Sequence, residues 1–266
     1  MEQVLEGGNT SVVVRVGDTV RRTAGHWTPA VHALLDHLES VGFDAAPRAL
    51  GTDEQGREVL SWVEGEAGLL GVRRLADVFQ TVGTCRAVGQ WLRRFHQAQR
   101  GFSPDPALPW RVVPGRALRR GEVVVHHDAA PYNTVLRPDG SLAMIDFDFA
   151  APGDPVEDLA LAVWAWTPLW HDPAAVRREM GEVTTADRLH KFAAVVDGYA
   201  ADAGQRARLA DTVVQVMEGH ARTLEELAAQ GDPVFVRMVG AGHADRPRRD
   251  AAWFRGQRDL FTAAIT

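Results

Sequence analysis

His126-His127-Asp128-Ala129-Ala130-Pro131-Tyr132-Asn133, followed further on by Ile145-Asp146-Phe147-Asp148, is the stretch that decides how this chain folds. Each half follows or closes a short apolar run: Val123-Val124-Val125 for the first, Leu142-Ala143-Met144-Ile145 for the second. Runs of that kind read as two short strands bracketing a polar turn, which leaves the polar residues at loop tips where a ligand can reach them. Asp128 is a carboxylate able to orient and deprotonate an attacking hydroxyl. Asn133 and Asp146 offer the hard oxygen ligands that magnesium prefers, and the neutral amide limits like-charge repulsion. Taken singly, each of these residues is ordinary turn chemistry. Their order and spacing, with asparagine five residues after Asp128 and Asp146 eighteen residues after it, make the pattern specific.

Upstream, the chain reads as strands with one helix. Val12 to Val16 and Thr19 to Arg22 flank the turn Gly17-Asp18 and form an expected hairpin, with Arg57 to Val63 as a further strand after Asp53-Glu54-Gln55-Gly56. Thr28-Pro29 is a helix start, Val31, Leu34, Leu35 and Leu38 recur at helical spacing, and Gly42 closes the helix. After Gly65-Glu66-Ala67-Gly68 the pattern turns helical. Val78, Val82, Val88, Leu92 and Phe95 predict one long amphipathic helix. Beyond Gly153 the periodicity is helical to the end, with breaks near Pro168, Gly204 and Pro233. The expected architecture is α+β and bilobal: a strand-rich lobe over residues 1–63 and a mainly helical lobe over residues 64–266.

The His-x-Asp, the following Asn and the later Ile-Asp-Phe-Asp together resemble the catalytic and metal loops of the aminoglycoside phosphotransferase and choline kinase-like family, within the protein-kinase-like superfamily. The resemblance implies an antiparallel-sheet N-lobe that covers a nucleotide and a helical C-lobe that binds the acceptor. It implies ATP or GTP as co-substrate, Mg2+ as cofactor, Asp128 as base, and Asn133 and Asp146 as metal ligands. It further implies His126 as a structural brace, Asp148 behind the metal site and Asp158 as a buried carboxylate. Backbone groups of Ser61 and Val63 would meet the nucleobase, and Gly7 and Gly8 would lie where a phosphate-covering loop belongs. The family's strand lysine is missing, since the only lysine is Lys191. Arg22 is the expected substitute because it shares a strand face with Val20. The helix glutamate that holds the family's lysine is also missing, with Val31 and His32 at the corresponding positions. His127 stands where glycine is common.

Composition narrows the partners. With 266 residues, 45% apolar and 24% charged, the chain is ordinary for a soluble protein. A net charge of -6 argues against a nucleic-acid partner and is compatible with a cationic one. No apolar run is long enough to span a bilayer, and the cytoplasm is the default compartment. The single cysteine, Cys85, reads as a buried helix residue, and Trp164, Trp166 and Trp170 read as core. The expected activity is transfer of a γ-phosphate to a hydroxyl of a small molecule, with aminoglycosides and other cationic antibiotics among the candidate acceptors. Two alternatives remain: a metal-dependent hydrolase built on His126, His127, Asp128, Asp146 and Asp148, and a nucleotide-binding pseudokinase that has lost lysine and glutamate.

Overall fold

Gly17, at φ 60°, lets the chain reverse between two β-branched runs, and from that turn a sheet is built. The computed structural model describes residues 2–5, 13–68, 75–112 and 117–266. Gly7 and Gly8 lie outside the described residues. Strand β1 (Glu2–Val4) pairs with β2 (Val14–Val16), which pairs across the turn with β3 (Thr19–Thr23). After α1 (Thr28–Ser40), strands β4 (Ala49–Thr52) and β5 (Arg57–Ser61) complete a five-stranded sheet in the order β1-β2-β3-β5-β4, antiparallel throughout. The helix buries Val31, Leu34, Leu35 and Leu38, the four residues its periodicity marked. Gly42, at φ 76°, ends it. Thr28 is the first helical residue rather than the cap, and its hydroxyl accepts the N–H of Gly25 at 3.0 Å.

The linker Gly65 to Gly68 is not free chain. Its residues Glu66–Ala67 form β6. Among the described residues, α2 (Val82–Ala98) starts later than the pattern predicts. Val78 sits exposed in a 3₁₀ turn, Asp77–Gln80, that buries Phe79 in its place. β7 (Val123–Val125), β8 (Thr134–Leu136), β9 (Leu142–Met144) and β10 (Ala151–Gly153) follow. The two apolar runs around the polar turn do not pair with each other. β7 pairs with β10, and β9 pairs with β8, a strand whose short polar-flanked sequence gave no signal. β6 adds to β8, giving the order β6-β8-β9.

By packing, the chain forms two compact units. One is Met1–Val72 with Trp91–Pro155; the other is Arg73–Gln90 with Val156–Thr266. This partition differs from the segments 1–63 and 64–266, which are drawn by role: β6 and the β8–β9 hairpin pack with the strands of the first unit. The second unit is helical among its described residues, with α3 (Pro155–Trp166), α4 (Pro173–Met180), α5 (Thr185–Tyr199), α6 (Ala203–Ala229), α7 (Pro233–Gly240), α8 (Asp245–Arg255) and α9 (Arg258–Ala263). Side chains cap these helices where the sequence demands it. Thr184 with Asp187 and Asp202 with Gln205 form capping boxes on α5 and α6, and Asp172 and Asp232 cap α4 and α7. The longest helix, α6, buries Leu209, Val213, Met217, Ala221 and Leu224 along one stripe.

Within the second unit, Gly89 and Gly198 mark a helix crossing where backbones touch. A Cβ on Gly89 would meet the carbonyl oxygen of Val195, and one on Gly198 would meet that of Arg86. Neither backbone can give way like a flexible side chain. Gly89→Ala and Gly198→Ala are therefore each expected to destabilise the fold by about 1–3 kcal/mol in urea titrations. Unchanged midpoints would show that the crossing is looser than described. Cys85, fully buried and pushed up to about 12 by desolvation, should resist thiol reagents at pH 8 until the chain unfolds. Rapid labelling of native protein would contradict this.

Candidate active site

The β8–β9 hairpin sets the geometry of the decisive stretch. Thr134 pairs with Met144, and one step further the N–H of Ile145 donates to the carbonyl of Asn133 at 2.9 Å. Asn133 just before β8 and Asp146 just after β9 are thus brought together at the open end of one hairpin. Ahead of it, Pro131–Asn133 form a single 3₁₀ turn. That turn aims two donors at Asp128: the Tyr132 hydroxyl at 2.6 Å to Oδ1, and Asn133 Nδ2 at 2.8 Å to Oδ2 and 3.1 Å to the Asp128 carbonyl. With its nitrogen spent on Asp128, Asn133 keeps its amide oxygen for another partner. Gly68 has to be glycine here, because a Cβ would meet the Pro131 carbonyl.

Electrostatics separates the roles. Burial pushes the Asp128 carboxyl up to about 7, with Asp146 adding to the rise and Tyr132 and Asn133 opposing it. A carboxyl poised near neutrality suits proton transfer. Asp146 is more open, with its side chain 37% exposed, and its backbone holds φ 63°. His127 also holds a left-handed backbone, φ 60°, with Nδ1 3.1 Å from the Phe149 carbonyl oxygen. That conformation is the physical reason glycine suits this position. His126 is fully buried, its ring 4.4 Å from that of Phe147 and 6.1 Å from that of Trp91. It packs its ring between Phe147 and Trp91. Among the described residues, no three His, Cys, Asp or Glu side chains gather as a metal cluster. The hard-oxygen pair Asn133 and Asp146 fits a magnesium ion completed by phosphate and water.

Arg22 is the centre of the charge network. It is buried, and its cross-strand partner in the β3–β5 ladder is Glu58. Nε donates to Glu58, Nη1 to Asp146 Oδ1 at 2.7 Å, and Nη2 to Asp148 Oδ1 at 2.5 Å. Glu58 is in turn 3.0 Å from His32 Nε2 on α1. Burial alone would raise the Glu58 carboxyl; His32 and Arg22 hold it below the usual range. Burial would likewise lower the Arg22 guanidinium, but Asp148, Asp146 and Glu58 outweigh it and keep it charged. Burial, then Asp146, pushes the Asp148 carboxyl upward against the pull of Arg22. Arg21, on the other strand face, lies 3.5 Å from Asp53 at the β4–β5 turn. Arg22 is thus paired with a carboxylate on the neighbouring strand, backed by a histidine on α1.

Several partners escaped the sequence reading. Glu58 was discoverable from register, since pairing Thr19 with Ser61 puts it opposite Arg22. Arg111 had no local signal. It lies buried 4.1 Å from the Trp27 ring and 4.8 Å from the Phe149 ring, with Nη1 3.6 Å from Asp148. At the end of β5, the Ser61 N–H donates to the Arg48 carbonyl at 3.0 Å, so only its carbonyl could face a nucleobase. No hydrogen bond to the described residues occupies Val63. In the second unit, Asp158 is fully buried in the first turn of α3, and Trp166 and Trp170 are core as expected, while Trp164 is half-buried.

Comparison with known proteins bears on this arrangement. Residues 107–193, which contain Asp128, Asn133 and Asp146, match the phosphotransferase enzyme family. The trifolitoxin immunity protein of Rhizobium leguminosarum bv. trifolii is 37% identical over 268 residues, spanning 99% of this chain and 98% of that protein. Among solved structures, a choline/ethanolamine kinase family protein from Mesorhizobium loti superposes with a TM-score of 0.61 at 16% identity, over 100% of this chain and 92% of that one. An amicoumacin kinase bound to AMP-PNP, Ca2+ and its antibiotic superposes with a TM-score of 0.62 at 11% identity, over 89% and 88%. The fold is thus the α+β, protein-kinase-like class that the decisive stretch implied, and the chain belongs to one family with the trifolitoxin immunity protein, its residues 107–193 carrying the match to the phosphotransferase enzyme family.

Proposed function

We propose that this chain transfers the γ-phosphoryl group of ATP or GTP to a hydroxyl of a toxin or antibiotic. The observation that carries the reading is the Asp128 carboxylate, held by Tyr132 and Asn133 beside Asp146 and set near neutrality. The acceptor class takes its support from the 37% identical relative, which is named an immunity protein. A cationic acceptor fits the net charge of -6. Residues 1–63 would cover the nucleotide, with Val63 and the Ser61 carbonyl facing its base, and residues 64–266 would hold the acceptor. Among the described residues no helix is long and apolar enough to cross a membrane, which fits a soluble enzyme of the cytoplasm.

In this reading the acceptor hydroxyl approaches Asp128 and gives up its proton to that carboxylate. As the new O–P bond forms, the bond from the γ-phosphorus to its bridging oxygen breaks and the nucleoside diphosphate leaves. Asn133 and Asp146 would hold Mg2+, whose chemistry is to neutralise phosphate charge. Arg22 would stand in for the family's lysine. Its Nη1 rests on Asp146 Oδ1, so phosphate and Asp146 compete for one edge of the guanidinium.

Asp128→Asn keeps the Tyr132 contact but removes the base. Phosphoryl transfer should fall by about 10²–10⁴-fold with nucleotide affinity little changed, read in a radiolabelled γ-phosphate assay across hydroxylated antibiotics. Turnover near wild type, with chemistry rate-limiting, would remove Asp128 from the mechanism. Any acceptor-dependent transfer also excludes the pseudokinase alternative.

Arg22→Ala leaves Glu58 buried with only His32 beside it and should cost about 3–5 kcal/mol of stability. Arg21→Ala breaks only a long, part-buried pair at 3.5 Å, with Asp53 still held by Arg57, and should cost under about 1 kcal/mol. Arg22→Met combined with Glu58→Met should recover much of the stability yet still fail to bind nucleotide tightly. A silent Arg22→Ala beside a damaging Arg21→Ala would invert the assignment.

A further inference from the structure

The helical unit holds a second gathering of charged and aromatic side chains that phosphoryl transfer does not use. Helix α8 presents Arg246, Asp250 and Trp253 at i, i+4 and i+7, one face of the helix. Asp250 is fully buried and saturated with donors. It accepts from Trp164 Nε1 at 3.1 Å, from the His171 backbone N–H at 2.8 Å and from His171 Nδ1 at 2.7 Å, with Arg246 Nε at 3.8 Å. These contacts fix the histidine. Asp250 can only accept, so Nδ1 carries the hydrogen between them, and in the neutral ring Nε2 is then the acceptor, on a side chain still 27% exposed.

Arg188 enters the same neighbourhood from α5. Its Nη1 lies 3.5 Å from the carbonyl oxygen of Trp170, the residue before His171, and its guanidinium carbon lies 5.2 Å from the Trp253 ring centroid. Arg246 covers the Trp170 ring at 4.3 Å and is matched by Asp250. Arg188 is not matched. It is half-buried, and among the described residues no carboxylate pairs with it. Burial pulls its guanidinium below the usual range, with Asp250 pulling back only partly. A cation taken out of water without a counter-ion costs stability, and a ligand anion would repair that cost.

We propose that Arg188, the Nε2 edge of His171 and the face of Trp253 form a binding subsite for a monocarboxylate that carries an O–H or N–H donor beside the acid group. One unmatched guanidinium balances one negative charge, which favours a carboxylate over a phosphate dianion, and its fork accepts both carboxylate oxygens. The lone pair on His171 Nε2 takes the donor. The tryptophan face covers the apolar part of the ligand.

Equilibrium binding without nucleotide tests this independently of any phosphoryl transfer. N-acetylserine and its neutral amide are titrated into the full chain at millimolar concentrations, followed by calorimetry and tryptophan fluorescence. The acid should bind about tenfold or more tightly than the amide, and Arg188→Gln should lose that difference. Without ligand, Arg188→Gln should melt at the wild-type temperature or above, because no carboxylate loses its partner and the amide can still donate to the Trp170 carbonyl. Arg248→Gln, which removes a surface pair with Glu225 and a contact to the Ala244 carbonyl, should leave binding unchanged. Equal binding of acid and amide, binding by neither, an unaffected Arg188→Gln, or a marked drop in its ligand-free melting temperature would each overturn the proposal.

Discussion

One buried guanidinium ties the first unit together. Arg22 stands opposite Glu58 on a neighbouring strand and reaches Asp146 and Asp148 in the loop after β9. A buried arginine needs close to as many acceptors as it has donor edges, so the sheet and the acidic loop are fixed relative to each other by charge matching. His32 extends the network to α1 through Glu58. Remove Arg22 and Glu58 is left with His32, Asp148 with the more distant Arg111, and Asp146 loses its guanidinium partner. Lysine in its place would offer a point charge rather than a fork.

The same network joins a cation on β3, a carboxylate on β5 and a histidine on α1. The acid lies on β5, and the helix contributes a histidine rather than a carboxylate. This arrangement puts the negative charge on the strand. It also makes Asp146 a shared group, bonded to Arg22 and exposed enough to meet a metal. Asp128 is kept apart from that competition by its own two donors, Tyr132 and Asn133, which come from a single 3₁₀ turn.

Local chemistry made part of this legible in the sequence. The α1 stripe of Val31, Leu34, Leu35 and Leu38 is buried as its spacing requires, because a 3.6-residue period leaves few other places for it. The Gly17 turn and the strands around it follow from β-branched runs and one left-handed residue. Strand alternation puts Arg22 and Arg21 on opposite faces, and Arg22 is the buried one of the two. What escaped was long-range. Strand β8 is three residues long and takes its identity from β6 and β9. Arg111 reaches Asp148 from a loop with no periodicity, and the Ser61 N–H is consumed by Arg48, a pairing that only the fold reveals. Val78 belonged to the helical pattern by spacing, yet Phe79 offers more apolar surface and takes the buried place beside it.

The central claim is that the hairpin end carrying Asn133 and Asp146 is a divalent-metal and nucleotide site. Electron paramagnetic resonance of Mn2+ measures it directly, with the free-ion signal followed while protein is added in the presence of a non-hydrolysable triphosphate. Wild-type protein should quench the signal stoichiometrically and only when the triphosphate is present, whereas Asp146→Ala should leave the ion free. Equal quenching by both proteins would contradict the account.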